Sequence, residues 1–362
     1  MPPITLFRYL AGRMLAALLG LLGALSAVVL LADLVENLRF AGKSGADFGF
    51  ALQLTLLRVP AIAQTLLPFI FLFAAIWMFR DLNRRSELAV MRSAGLSVWR
   101  LVGPAAFLAA LGGFLIIVAI DPLSARMMAY GEKMKNDVRG KTTSVVRVFG
   151  DGIWLRQRDA TETLLINAAS VDDAGTLQRV TIWRLSPDAA FLERVDSPVA
   201  QLSGRTIELK EARMKAAGRQ VTQRTPVYAV PTALTLSTLR ENAPAPETMS
   251  IWELPRYMMI ANSVGLSTTR YNIRFHDLCS TPLKLTAMVL IAALFSLGPA
   301  RSGGAFQLVV AAVGSGFALY VLSELSAALG ESGAAPEALA AWTPALVATI
   351  AAVSMLTRLE EA

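Results

Sequence analysis

Residues 101–120 read LVGPAAFLAALGGFLIIVAI and contain no charged side chain. A helix needs about 20 predominantly apolar residues to cross the hydrocarbon core of a bilayer. This stretch therefore predicts a membrane-spanning helix. Polar sequence begins directly after it, at Asp121 and Pro122, and predicts that the chain leaves the membrane there.

Five further apolar stretches surround this one. Two precede it, at residues 14–32 and 59–79, and three follow it, at about 278–300, 305–323 and 338–357. Only the stretch at 278–300 contains a charge, Lys284. The first stretch lacks the small-residue cleavage site of a signal peptide, so we expect it to remain as a helix. The sequence thus predicts six spans in two groups of three.

The composition agrees with a membrane protein. Of the 362 residues, 54% are hydrophobic and 17% are charged, against about 45–50% and roughly 25% in an average soluble domain. This excludes a disordered chain, a coiled coil and an ordinary soluble enzyme. The net charge of +7 fits Lys and Arg at the cytoplasmic edges of spans, so we predict no nucleic-acid partner. Cys279 is the only cysteine, so no disulfide can form within the chain.

The region between the third and fourth spans, residues 122–277, has a different character. Apolar and polar residues alternate at 153–156 and 207–210, and turn signals separate the alternating runs at 150–152, 172–175, 186–188 and 217–218. Alternation with a period of two between turns predicts short antiparallel strands. We therefore expect a β-sandwich or barrel-like domain, inserted between membrane domains at residues 1–121 and 278–362.

The distribution of Lys and Arg predicts the orientation, because short cytoplasmic loops carry an excess of both. With a cytoplasmic N-terminus, the short outer loops hold Arg39 and Lys43. The inner segments then hold nine arginines: Arg8, Arg13, Arg80, Arg84, Arg85, Arg92, Arg100, Arg301 and Arg358. We expect both termini in the cytoplasm and the β domain on the opposite side of the membrane.

Motifs for nucleotide, metal or hydrolytic chemistry are incomplete. The Gly-Lys-Ser/Thr triplets at residues 42–44 and 140–142 lack the glycine five positions earlier that a phosphate-binding P-loop requires. The only histidine, His276, and Cys279 are too few donors for a metal site, and Ser-His-Asp catalysis would have to use the same histidine. We expect no cofactor, no metal and no enzymatic activity in this chain.

The segment between the second and third spans is the most informative polar stretch, and residues 81–101 read DLNRRSELAVMRSAGLSVWRL. It predicts a short helix over residues 84–94, with Asn83 as N-cap and Gly95 at its end. Leu88 and Met91 share one face of this helix. Such an apolar knob with flanking charges could dock in a groove of a cytoplasmic partner. A solvated basic connector is the alternative that the residues alone leave open.

The same segment, residues 83–95, resembles the coupling helix of the lipopolysaccharide export permease family, LptF/LptG. The likeness rests on RSELAVM at 85–91, followed by Ala-Gly at 94–95. Further matches are VENLRFAG after the first span at 35–42, GPARS after the fourth at 298–302, and GFALYVL in the fifth at 316–322. The resemblance covers the whole chain in layout, and its motifs lie in the membrane half. The Arg-Ser-Glu-Leu form and the loop after the first span resemble the LptG branch more than the LptF branch.

The resemblance implies a division of labour between subunits. Members of the family pair as LptF and LptG on a dimer of the cytoplasmic ATPase LptB. They lift lipopolysaccharide from the bacterial inner membrane and pass it to a periplasmic bridge of jelly-roll domains, with LptC and LptA as partners. The implied fold is a membrane α-helical protein with six transmembrane helices, three on each side of a periplasmic β-jelly-roll-like domain. Arg85, Glu87, Leu88 and Met91 are the candidates for the contact with the ATPase, where Glu87 could pair with a basic group.

The resemblance also implies a site for a phosphate-bearing head group. Arg39 and Lys43, at the outer end of the first span, suit phosphate contacts, although ordinary interfacial cations occupy the same position in many membrane proteins. Lys284 is the third candidate, with snorkelling to the interface or neutralisation by Glu324 as alternatives. Because the family often carries a basic residue where this chain has Asp33, we expect Asp33 to face away or to pair with a basic neighbour.

Two other functions are alternatives to lipopolysaccharide export. A lipoprotein-release or FtsX-like permease also uses a coupling segment and an external domain, but its large insert usually follows the first of four spans. A membrane-anchored enzyme or sensor would need a cluster of catalytic residues in the insert, and the sequence offers none. Lipopolysaccharide export is therefore the leading hypothesis.

Overall fold

The computed structural model describes residues 3–138, 145–149, 152–158, 162–172, 175–188, 190–204, 206–218, 223–232, 244–297 and 305–361. The chain divides into two compact units. A helical unit comprises Met1–Gly131 and Asn272–Ala362, and a β unit comprises Glu132–Tyr271. Three predicted features lie mainly outside the described residues: the Gly-Lys-Thr triplet at 140–142, the turn at 150–152, and the motif at 298–302 with Arg301.

Within the described residues, six helices are long and apolar enough to cross a membrane, which confirms the six predicted spans. Three precede the sheet: α1 (Pro3–Ser44), α2 (Phe48–Arg84), and α4 (Val98–Leu115), which continues through a π-helical turn (Ile116–Ile120) into α5 (Asp121–Val138). Three follow it: α7 (Thr269–Leu297), α8 (Ala305–Glu331) and α9 (Glu337–Glu361). The described residues also form two shorter α-helices, α3 (Glu87–Ser93) and α6 (Leu254–Ser263).

The helical unit is held together by one apolar core. Its fully buried side chains include Phe79 of α2, Leu101 of α4 and Leu285 of α7. By contrast, Leu19 and Val28 of α1 are exposed, as apolar side chains are on the lipid-facing side of a membrane helix. The core therefore joins the helices before the β unit to those after it.

A buried ion pair joins the two helices that connect the helical unit to the rest of the chain. Asp121, at the start of α5, has an almost fully buried side chain and accepts from the guanidinium of Arg274 of α7, at 3.2 Å. The amide of Gln64 of α2 lies 3.5 Å from the same carboxylate oxygen. Because an uncompensated buried charge is costly, this pair fixes α5 and α7 beside each other.

The described residues of the β unit form an antiparallel sheet. Its strands are β1 (Val145–Phe149), β2 (Gly152–Arg158), β3 (Thr163–Ala168), β4 (Ser170–Val171), β5 (Thr176–Leu185), β6 (Phe191–Ser203), β7 (Thr206–Ala216) and β8 (Gln223–Pro231). The sheet order is β1-β2-β3-β5-β6-β7-β8, and β4 pairs with β5. A 3-10 turn (Pro246–Thr248) and α6 follow the sheet.

The predicted alternation is confirmed along these strands. Ile153, Leu155, Ile207 and Leu209 are at most 1% exposed and belong to one core cluster. Their polar neighbours lie on the other face, because successive side chains of a strand point to opposite sides of the sheet. The sheet thus confirms an antiparallel β domain inserted between the third and fourth spans.

Candidate functional site

The predicted coupling segment forms a sharp corner followed by α3. Helix α2 continues to Arg84, and only Arg85 and Ser86 separate it from α3. The predicted helix start is therefore wrong, because Asn83 lies in the last turn of α2, where its carbonyl accepts from the N–H of Ser86 at 3.0 Å. Ser86 has φ 59°, a left-handed conformation that costs an L residue about 1–2 kcal/mol. The surrounding contacts must offset this strain.

The end of α3 confirms the role predicted for Gly95. Gly95 has φ 77°, and its N–H donates to the carbonyl of Arg92 at 3.0 Å. The N–H of Leu96 donates to the carbonyl of Met91 at 3.2 Å. This pair of hydrogen bonds is the Schellman motif, which needs a left-handed residue that glycine adopts without strain.

The apolar side of α3 points into the protein. Leu88 is 6% exposed and belongs to the core of the helical unit, and Met91 is half-buried against that core. Within this chain Leu88 and Met91 therefore pack inward, and their contact with an ATPase stays a prediction. The exposed apolar side chain of α3 is Val90, at 66%. We call Ala89, Val90 and Ser93, all exposed, the outer face of α3.

Charged side chains tie the corner to α1. The guanidinium of Arg13 forms an ion pair with Asp81 of α2 and lies 3.6 Å from a carboxylate oxygen of Glu87 of α3. Tyr9 donates its hydroxyl to the other oxygen of Glu87 at 2.6 Å. Arg85 donates its Nε–H to Asp81 at 3.1 Å, although its side chain is 58% exposed. Sequence reasoning placed Arg85 and Glu87 in this region but missed Tyr9 and Arg13 as their neighbours.

The start of α4 and the end of α9 meet at the same place. Glu360 of α9 accepts from the backbone N–H of Val98 at 2.7 Å. Arg92 of α3 lies 3.5 Å from the carbonyl of Leu359 of α9. Together with the Arg13–Asp81 pair, these contacts place the starts of α1 and α4 and the ends of α2 and α9 at one end of the helical unit. The described arginines counted for the inner side lie on these segments and on α3: Arg8, Arg13, Arg80, Arg84, Arg85, Arg92, Arg100 and Arg358.

A buried polar cluster lies near the other end of α1 and contains Asp33. Asp33 is 8% exposed and forms an ion pair with Arg58 of α2. Asn37 donates to Asp33 at 2.8 Å and to Thr55 at 3.0 Å. The expected pairing of Asp33 with a basic neighbour is therefore confirmed. Arg58 itself was missed, although its position directly before the apolar stretch 59–79 could have shown a cation at the outer edge of α2.

Two predicted head-group residues lie together on α1. Arg39 and Lys43 are both exposed and are four residues apart, so they are neighbours on one side of the helix. Asp33, Asn37 and Ala41 are buried and follow the same spacing on another side. The helical period places the two cations away from the side that carries the Asp33 cluster.

The third predicted head-group residue, Lys284, is neutralised within its own helix. Its ammonium forms an ion pair with Asp277 of α7, and its side chain is 15% exposed. The suggested neutralisation by Glu324 is therefore wrong. Seven residues, about two helical turns, separate the members of the pair, so the long Lys side chain runs along α7 toward its N-terminal part.

The chain is similar to known proteins over most of its length. The sequence model of the family described as lipopolysaccharide export system permease LptF/LptG matches residues 8–358. The chain is 25% identical over 341 residues to the lipopolysaccharide export system permease protein LptG of Haemophilus influenzae, covering 89% of each chain. It is also 25% identical over 298 residues to the LptG protein of Escherichia coli K12, covering 80% of this chain and 81% of the relative. The described residues contain six helices long and apolar enough to cross a membrane and an inserted antiparallel sheet, and the family model matches almost the entire length, so the chain belongs to the lipopolysaccharide export permease family LptF/LptG.

Proposed function

We propose that this chain is an LptG-like permease subunit of an ABC transporter in the bacterial inner membrane. It takes lipopolysaccharide out of that membrane and passes it to a periplasmic bridge toward the outer membrane. A separate cytoplasmic ATPase, a dimer of LptB, hydrolyses the ATP, and a paired LptF subunit completes the permease. The observation that carries the proposal is the path of α1, which connects the network around α3 to the exposed cations Arg39 and Lys43.

The length of α1 fits this task. Arg13 and Arg39 are 26 residues apart in one helix, which corresponds to about 39 Å at a rise of about 1.5 Å per residue. The hydrocarbon core of a bilayer is about 30 Å thick. One helix can therefore hold the corner at one membrane surface and present two cations at the other.

The outer face of α3 is the surface that we propose for the ATPase. Ala89, Val90 and Ser93 are small, so a partner helix or loop can approach the backbone closely. Arg85 and Arg92 flank this face and are also exposed, which favours a partner cleft with an acidic rim. In this arrangement Leu88 and Met91 support α3 from the core, and Glu87 holds it to α1.

The head-group site that we propose consists of Arg39 and Lys43. Both are exposed and adjacent, so both can contact phosphate groups with charge-assisted hydrogen bonds. Lys284 contributes less, because Asp277 already neutralises its charge. Arg58 has a side chain that is 39% exposed but shares its charge with Asp33, so it ranks with Lys284 as a secondary contact.

The β domain would join the bridge through the edge of its sheet. Among the described strands, β1 and β8 lie at the two ends of the sheet order, and an added strand needs free backbone donors and acceptors along one of them. Strand β8 contains Pro226 and Pro231, which have no N–H to donate, whereas β1 contains no proline. We therefore propose β1 as the joining edge toward the LptC and LptA jelly rolls.

Photo-crosslinking in cells tests this function. A photoreactive amino acid at position 39 or 43 should capture lipopolysaccharide, and the same probe at a β-domain position such as Val227 should capture it only when the ATPase is active. A probe at Arg8, an exposed cation at the other end of α1, is the matched control and should capture none. If probes at 39 and 43 capture lipoprotein or nothing in a complex that is folded and hydrolyses ATP, the proposed function is wrong.

The alternative, a lipoprotein-release or FtsX-like permease, is disfavoured by span count. That class usually has four spans with the insert after the first, whereas the described residues of this chain contain six with the insert after the third. The identity of the crosslinked lipid separates the two functions directly.

A further inference from the structure

The corner between α2 and α3 is short and strained. Two residues connect the helices, and one of them, Ser86, adopts a left-handed conformation that non-glycine residues rarely hold. No side-chain hydrogen bond of Ser86 caps α3. The direction of α3 therefore depends on contacts made by its neighbours.

Arg13 is placed to supply those contacts. One nitrogen of its guanidinium pairs with Asp81, which lies before the corner, and the other lies 3.6 Å from Glu87, which lies after it. The three side chains are 25–29% exposed, so solvent screens them only in part. A planar guanidinium can hold two carboxylates in a fixed geometry, which a lysine cannot do.

Tyr9 adds a second link between the same elements. Its hydroxyl donates to Glu87 at 2.6 Å, and its ring lies 5.0 Å from the central carbon of the Arg13 guanidinium, within cation–π range. Glu87 is thus engaged from two sides by residues of α1. A displacement of α3 must either break these contacts or move α1 with it.

We propose that Arg13 is a positioning residue that couples α3 to α1. It makes the corner move as one body with α1, so that a displacement of α3 reaches the helix that carries Arg39 and Lys43. Glu87 is the residue of α3 through which Arg13 and Tyr9 make this link. This inference rests on the proposed function, in which α3 receives the movement of the ATPase.

The test uses the complete transporter in proteoliposomes and compares Arg13→Gln, Tyr9→Phe and the control Arg8→Gln. Three quantities are measured: ATPase retained on purification, ATP hydrolysed, and lipopolysaccharide delivered per ATP. We expect Arg13→Gln to retain the ATPase and to hydrolyse ATP, yet to deliver at least about fivefold less lipid per ATP, the lower end of typical coupling between sites. Tyr9→Phe should lose less of the lipopolysaccharide delivered per ATP, and Arg8→Gln should match the unsubstituted chain in all three quantities.

A double-mutant cycle with Glu87→Gln distinguishes a link within the chain from a contact with the ATPase. If Glu87 acts through Arg13, the double variant is no worse than the worse single variant. Multiplied losses, normal delivery by Arg13→Gln, or loss of ATPase from Arg13→Gln would each overturn the inference. If Arg13→Gln fails to fold, Tyr9→Phe tests the inference instead, because it removes only the hydroxyl that donates to Glu87. Failure of the unsubstituted complex to deliver lipopolysaccharide would instead reject the proposed function.

Discussion

Leu88 and Val90 are two residues apart on α3 but have different surroundings. Leu88 is 6% exposed and packs in the core of the helical unit, whereas Val90 is 66% exposed on the outer face of α3. Sequence periodicity found that Leu88 and Met91 share a face. It could not tell whether that face turns toward the protein or toward a partner, because both are apolar surroundings. Substitutions of Leu88 and of Val90 should therefore change different properties of the protein.

Replacing Leu88 with Ala should lower stability, while replacing Val90 with Glu should weaken ATPase binding. Leu→Ala in a packed core costs about 2–5 kcal/mol, so the thermal unfolding temperature of Leu88→Ala should fall. A surface substitution usually changes stability by less than about 0.5 kcal/mol. Burying an unpaired carboxylate at an interface costs more than about 1.4 kcal/mol, so Val90→Glu should retain at least about tenfold less ATPase.

Val227→Glu is the matched control for this comparison, because Val227 is 56% exposed and lies on β8. It should change neither quantity. If Val90→Glu retains the ATPase normally while Leu88→Ala loses it at an unchanged unfolding temperature, the outer face of α3 is not the docking surface.

At the scale of elements, α4 and α7 approach each other closely at Gly113. A Cβ on Gly113 would lie 2.7 Å from the backbone nitrogen and 3.0 Å from the Cβ of Pro282. Both positions are held by helical backbone, so neither atom can move aside as a flexible side chain can. The neighbouring Gly112 differs, because a Cβ there would meet the ring tip of Phe71.

Gly113→Ala should therefore destabilise the helical unit. Overpacking a tight contact costs about 1–3 kcal/mol, which exceeds the roughly 0.5–1 kcal/mol that Ala gains over Gly within a helix. Gly103→Ala on the same helix is the control, since a Cβ there has no heavy-atom neighbour within 4 Å. Gly113→Ala should unfold at a lower concentration of a denaturing detergent than the unsubstituted chain, and Gly103→Ala should unfold at the same or a higher concentration. Equal or greater resistance for Gly113→Ala would show that α4 and α7 do not cross there.

The elements that sequence reasoning predicted best are those whose signal is local. Uninterrupted apolar stretches predicted all six spans. Alternation predicted the strands, because burial of one face of a strand imposes a period of two within that segment alone. The windows end where the hydrocarbon ends, so residues 14–32 mark only the middle of α1 (Pro3–Ser44). The start of α3 was missed for a different reason, since the left-handed Ser86 depends on partners such as Arg13 that lie far away in the chain.

At the scale of the whole molecule, the two ends of the helical unit differ in charge. The end formed by the starts of α1 and α4 and the ends of α2 and α9 carries the described arginines counted for the inner side. At the other end, Arg39 and Lys43 are exposed, while the charge of Arg58 is shared with Asp33. Because an excess of Lys and Arg marks the cytoplasmic side of a membrane protein, this asymmetry predicts that the arginine-rich end faces the cytoplasm.

Single-cysteine labelling tests the predicted orientation, in which α3 faces the cytoplasm and the β domain lies on the opposite side of the membrane. In a chain with Cys279→Ala, either Val90→Cys or Val227→Cys supplies one thiol at a position that is 66% or 56% exposed. In spheroplasts, a membrane-impermeant maleimide should label position 227 and spare position 90. After solubilisation in a denaturing detergent, both should react equally. The reverse pattern in spheroplasts would put the β domain in the cytoplasm, and Arg39 and Lys43 would then face the wrong leaflet to receive lipopolysaccharide bound for the periplasm.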